Sequence, residues 1–135
     1  TTGTATPDRA EALVAELRAA LPEVTFIAHF HDSRGLGLAN CLAAYRAGCR
    51  HFDSIFAAAG GHPAKIVYGS GYTGNVATED LVNMFEAMGI STGIALADLL
   101  DTARACEEAL GRPLHGRTTR SGLSPLLGAD RGPSP

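Results

Sequence analysis

The two imidazoles of His29-Phe30-His31 are the side chains of this sequence best placed to do chemistry. They close an apolar run, Val24-Thr25-Phe26-Ile27-Ala28, that reads as a β-strand. On a strand, residues i and i+2 point to the same face, so both rings could hold one metal ion from one backbone segment. An imidazole also titrates near neutral pH, so either ring could carry a proton. The run then enters Asp32-Ser33-Arg34-Gly35, a turn that opens a helix. α/β folds place their chemistry at strand ends of this kind. An isolated His-x-His pair is nevertheless more often structural than metal-binding, and the surrounding elements have to distinguish the two.

Those elements alternate. Thr6-Pro7-Asp8 is a helix start, with a cap hydroxyl, proline at the first position and an early acid. Leu13, Val14, Leu17 and Leu21 give that helix an apolar face, and Pro22 stops it. A strand follows from Val24 to about Phe30. A second helix begins after Ser33, with Leu38, Leu42 and Tyr45 on one side and Gly48 near its end. His51 to Phe56 reads as a second strand, and a glycine-dense loop runs from Ala57 to Ala77. Thr78 caps a third helix, with Leu81, Val82, Phe85 and Met88 on its face and Gly89 at C′. A fourth runs from about Leu96 to Leu110 and ends at Gly111. From residue 112 to 135, arginine, glycine, serine and proline predict a flexible tail.

The order α-β-α-β-loop-α-α implies parallel strands and an α/β fold. Two strands, or three with a short one near Asn75, cannot close a sheet that is buried on both faces. Residues 1–111 therefore read as part of a larger α/β unit. A complete α/β barrel needs about 250 residues, and this chain has 135. An exposed parallel edge predicts association with a second copy or with a complementing N-terminal half-barrel. The formal charge of −3 provides no basic stripe, which argues against nucleic acid and anionic membrane as partners. No apolar run approaches the roughly 20 residues of a bilayer span. Cys41, Cys49 and Cys106 are odd in number and lack CxxC spacing, as expected of reduced thiols in a cytoplasmic protein.

The segment His29-Phe30-His31-Asp32-Ser33-Arg34-Gly35-Leu36-Gly37-Leu38-Ala39-Asn40 resembles the metal-site strand and following helix of the 3-hydroxy-3-methylglutaryl-CoA lyase family. Gly60-Gly61-His62-Pro63 resembles that family's glycine-rich active-site loop, and Gly74-Asn75-Val76-Ala77-Thr78-Glu79-Asp80-Leu81-Val82 the segment after it. Thr1-Thr2-Gly3 with Thr6-Pro7 resembles the end of its fifth barrel strand. The resemblance covers about residues 1–110, and the three motifs in this order are specific together. It implies the C-terminal portion of a (β/α)8 TIM barrel of the pyruvate-carboxyltransferase-like group. It also implies a divalent cation, Mg²⁺ or Mn²⁺, held by His29, His31 and Asn75. An aspartate and a neighbouring arginine from the first barrel strand would complete the family's site.

The implied reaction is retro-Claisen cleavage of a 3-hydroxyacyl-CoA, hydroxymethylglutaryl-CoA-like, to acetyl-CoA and a keto acid. Such a cation stabilises a developing alkoxide and keeps positions open for substrate. His29 is then a candidate for moving the hydroxyl proton, and the glycine-rich loop for a lid that excludes water. His62 stands where the family carries a cysteine, and is a second candidate for proton transfer or simply a polar loop residue. Asp32, Gly60 and Gly61 fall on the turn and loop that would support the ligands or meet the substrate. Glu79 and Asp80 are explained either as charges at a helix N-terminus or as supports for a ligand such as Asn75. Asp53 either supports the metal site or caps a backbone group. Two alternatives are a Claisen-type condensing synthase of the same superfamily and an inactive half-barrel that only binds a partner. Synthases usually carry HxHND and GER-x-GN; His31-Asp32-Ser33 and Tyr72-Thr73-Gly74-Asn75 favour the lyase.

Overall fold

The computed structural model describes residues 3–58, 74–123 and 127. Helix α1 (Pro7–Ala20) starts where Pro7 follows an extended Thr6. It leads to strand β1 (Ile27–Ala28), helix α2 (Gly37–Arg46) and strand β2 (His51–Phe52). After a single 3-10 turn (Phe56–Ala58) come α3 (Thr78–Ala87), α4 (Leu96–Leu110) and α5 (Arg117–Ser121). The two strands are parallel, with Ile27 opposite His51 and Ala28 opposite Phe52.

Both strands are shorter than the sequence predicts, and beyond their C-terminal ends a third segment takes over the pairing. Val76 N–H donates to the Phe30 carbonyl, and Asp32 N–H to that of Gly74. On the other side, the Ile55 and Thr78 N–H groups bond Val76 and Ile55 carbonyls. Residues 74–77 thus lie between the ends of both strands, with bridges His31–Asn75 and Ile55–Ala77.

The core forms where small residues let these elements approach. Ala28 and Phe30 from one face of β1 and its extension meet Cys41, Ala43, Ala44, Val76, Leu81 and Phe85. Cys41 and Cys49 are both buried, but Cys49 is not a purely apolar filler: its thiol donates to the Phe26 and His51 carbonyls; all three cysteines are free thiols. Gly37 has a steric reason: a Cβ there would come within 2.7 Å of Val76 Cγ2. The expected apolar face of α1 is largely not buried. Leu13 and Leu21 are exposed and Ala10 is the buried residue, consistent with a close approach of α1 to the alanine- and cysteine-lined α2.

Three local expectations change. The cap of α3 is Ala77, not Thr78, which is the first helical residue. Its amide is engaged by Ile55 and its hydroxyl pairs with Ser54 Oγ at 2.8 Å, tying the helix start to the second strand. Thr6 takes the cap position of α1, but its hydroxyl bonds the Asp8 carboxylate, lowering that carboxyl's pKa, and makes no capping bond. Finally, the described part of the expected tail is not loose. Leu114 is buried, and α5 packs on α3 with Thr118 and Thr119 buried. By contrast, Gly89 does end α3 in a left-handed turn, with Ile90 N–H returning to the Phe85 carbonyl. No helix among the described residues is long and apolar enough to cross a membrane.

Candidate functional site

The site is assembled where residues 74–77 meet the end of the first strand. The bridge puts Asn75 beside His31, which is 2% exposed. Asn75 Oδ1 is buried and accepts no hydrogen bond among the described residues. Leaving a carboxamide oxygen so placed costs about 1–3 kcal/mol unless something else satisfies it. Two residues back, His29 lies on the same face as His31, with ring centroids 5.1 Å apart at 70°. Its Nδ1 is 2.5 Å from Asp53 Oδ1 on the neighbouring strand.

Asp32 organises the turn that follows. Its Oδ1 accepts from Gly37 N–H at 2.7 Å, which fixes the first turn of α2. Its Oδ2 accepts from Arg117 Nη1 at 3.2 Å, across 85 residues of sequence. Beside this corner opens a cavity of about 360 Å³, lined by Asp32, Gly74, Asp80, His115 and Arg117 among others. Behind the turn, burial and the Asp32 charge push the Cys41 thiol up to about 12, which makes it a poor nucleophile.

Glu79 and Asp80 stand in the first turn of α3, as the sequence places them, and each makes a bond to the C-terminal segment. Asp80 accepts Thr118 N–H at 2.6 Å and Arg117 N–H at 3.0 Å. Glu79, fully buried, accepts from Thr119 Oγ1 at 3.0 Å. The two carboxylates therefore clasp the start of α5 and bring Arg117 to Asp32. Neither Arg117 nor His115 stands out in the sequence; both occur in a stretch whose composition reads as tail. Gly60, Gly61 and His62 lie outside the described residues.

Three donors of the implied metal set are described: two imidazoles and the orphaned carboxamide oxygen of Asn75. No group of three or more His, Cys, Asp or Glu side chains that could hold a metal is assembled among the described residues. Imidazole nitrogens and a carboxamide oxygen are donor types that ligate divalent cations.

The HMGL-like family profile matches residues 1–106. The chain is 41% identical over 117 residues to a hydroxymethylglutaryl-CoA lyase of Bacillus subtilis, covering 87% of this chain and 38% of that protein. It is 37% identical over 122 residues to an (R)-citramalyl-CoA lyase of Chloroflexus aurantiacus, covering 90% and 37%. Among solved structures, it superposes on an HMG-CoA lyase of Acinetobacter baumannii, in complex with coenzyme A and 3-methylmalate. That match has a TM-score of 0.82 and 37% identity, covering all of this chain and 42% of the other. The chain thus spans about two-fifths of the length of the proteins it matches, and has the fold of a segment of their TIM barrel.

Proposed function

This chain belongs to the HMGL-like family, and from that premise we propose that it carries the metal-binding strand of a divalent-cation-dependent acyl-CoA lyase. The reaction is retro-Claisen cleavage of a 3-hydroxyacyl-CoA, hydroxymethylglutaryl-CoA-like, to acetyl-CoA and a keto acid. The observation that carries the proposal is the buried, unsatisfied Oδ1 of Asn75 beside His31. Together with His29 these residues would hold Mg²⁺ or Mn²⁺. The remaining carboxylate and an arginine would come from barrel segments that this chain does not match. When bound, the cation supplies electrostatic stabilisation of a developing alkoxide.

The chain's own residues do the rest. Where His29 acts as the base instead of as a ligand, it takes the proton of the substrate hydroxyl, and the hydroxyl carbon becomes the ketone of the keto acid. The electron pair of the broken carbon–carbon bond passes to the thioester as an enolate. Protonation of that enolate, with His62 as the candidate donor, gives acetyl-CoA. By the resemblance, Gly60 and Gly61 would belong to the loop that meets the substrate. Asp32 holds the helix behind the ligand strand. The Bacillus subtilis and Chloroflexus aurantiacus lyases are named for different acyl groups.

The open face of the sheet supports an assembly. Ile27 is 65% exposed, and the His29 and Asp53 side chains beside it are 40% and 55% exposed. A second copy or a complementing N-terminal half-barrel would cover them. The free thiols support a reducing, cytoplasmic setting. The test is a calorimetric Mn²⁺ titration with His31→Ala as control. Saturable one-site binding that the substitution abolishes is the expected result. A folded chain that binds no Mn²⁺ would refute an organised site in the isolated polypeptide. Where it binds, adding a complementing half-barrel should give acetyl-CoA from hydroxymethylglutaryl-CoA. A mixture that instead makes the carbon–carbon bond would favour the condensing-synthase alternative.

A further inference from the structure

We infer that Asp53 is a positioning residue for His29: its carboxylate fixes the imidazole in the tautomer that carries its proton on Nδ1 and leaves Nε2 bare. The inference rests on the reading of His29 as a ligand or proton carrier, and it adds a residue to that site.

The pairing is written in the sheet register. Ile27 lies opposite His51 in parallel strands, and two residues on, His29 lies opposite Asp53. Residues i and i+2 share a face, so both side chains emerge on the same side of the sheet. The backbone keeps the ladder in step, with Asp53 N–H donating to the Ala28 carbonyl at 3.2 Å. The result is an Nδ1 to Oδ1 separation of 2.5 Å between residues 24 apart in sequence. Among the described residues, the hydrogen bond of this carboxylate goes to His29 and to no backbone group, which disposes of a capping role.

A side-chain contact this exposed contributes little to stability. Its consequence is chemical. A neutral imidazole in water prefers its proton on Nε2, and a carboxylate that accepts from Nδ1 reverses the preference. The nitrogen left bare can then accept a substrate proton or ligate a cation, but not both at once. Carboxylates that orient ligating histidines in this manner are common in metal sites, and their loss typically costs about 10–100-fold in affinity. Asp53 sits outside the His-x-His segment and outside the glycine-rich loop, so no motif draws attention to it.

The experiment is ¹⁵N NMR of the histidine rings in the metal-free chain above the histidine titration range, for wild type, Asp53→Ala and Asp53→Glu. Wild type should show Nδ1 protonated and Nε2 with the far-downfield shift of a bare imidazole nitrogen. Asp53→Ala should move the His29 proton to Nε2, and Asp53→Glu should restore at least part of the wild-type pattern. If Asp53→Ala disturbs the strand pair by circular dichroism, Asp53→Val keeps strand propensity and also lacks an acceptor. A wild-type His29 protonated on Nε2, or the same tautomer in all variants, overturns the inference. A Mn²⁺ titration of the same samples separates it from the metal reading. A tautomer switch without Mn²⁺ binding in wild type retains the positioning role and discards the metal. Saturable Mn²⁺ binding with no tautomer switch does the reverse. With both intact, Asp53→Ala should weaken Mn²⁺ about 10–100-fold.

Discussion

Gly116→Ala should destabilise this chain by far more than a methyl group on a terminal helix ordinarily would. Gly116 has φ −61° and ψ 120°, a backbone that any residue adopts. The requirement for glycine is steric: a Cβ there would sit 1.8 Å from Glu79 Oε1 and 2.8 Å from its carboxyl carbon. Glu79 is completely buried, so its carboxylate cannot swing into water. Two kinds of relief exist. Glu79 can shift, breaking its buried bond to Thr119 Oγ1. Alternatively α5 can lift, giving up the Asp80 bonds to Arg117 and Thr118 N–H. Overpacking typically costs about 1–3 kcal/mol, and a lost hydrogen bond to a charged group about 1.5–3. A net loss of about 2–4 kcal/mol follows. With a urea slope of about 2 kcal/mol/M, the midpoint falls by roughly 1–2 M. Urea titration by circular dichroism reads this directly, and repeating it on Glu79→Ala isolates the clash. In that background Gly116→Ala should cost less than about 1 kcal/mol. A midpoint unchanged in the wild-type background, or an equal cost in both, would refute the reasoning.

Asp80→Ala strips the acceptor from two backbone N–H groups, and should cost about 2–4 kcal/mol while the Thr118 amide loses its hydrogen-exchange protection. Arg117→Ala breaks a pair whose arginine is 68% exposed, and should change the urea midpoint by the equivalent of under about 1 kcal/mol. The buried Cys41 thiol should resist iodoacetamide at pH 8 in the native state while the half-exposed Cys106 reacts, as peptide mass spectrometry would show. The same thiol is pushed from 9.0 to about 12 by folding, so its protonated form is favoured in the native state. Its contribution to stability is complete below pH 9 and is lost as pH rises toward 12; the wild-type minus Cys41→Ala difference in urea midpoint should shrink over that window.

The sequence is legible where its signals are local. Proline at the start of α1, Glu79 and Asp80 in the first turn of α3, and Gly111 after α4 each act within a turn of helix, and those three elements fall where the sequence places them. The alternation of strand and helix, and hence a parallel α/β segment of a barrel, is legible for the same reason. Strand lengths are not: whether Ile55 joins a ladder depends on which segment comes alongside, and residues 74–77 come from more than 20 positions beyond Phe52, where β2 ends. The grouping of His29, His31 and Asn75 depends on the same arrival. The clasp is illegible for a further reason. Gly116 and Arg117 acquire meaning only through Glu79, Asp80 and Asp32, which lie 37 to 85 residues away in the bonds they make. In isolation they read as the polar, glycine-containing composition of a tail.

The tie between Asp32 and Arg117 also imposes an order in time. During synthesis at about 5–20 residues per second, Arg117 is added roughly 4–17 s after Asp32. Helix elongation takes nanoseconds per residue, and a closing loop far less than a millisecond. The earlier elements therefore have many opportunities to pair before the clasp can form, and the turn that follows His31 waits for the nascent chain to supply the Arg117 restraint on Asp32.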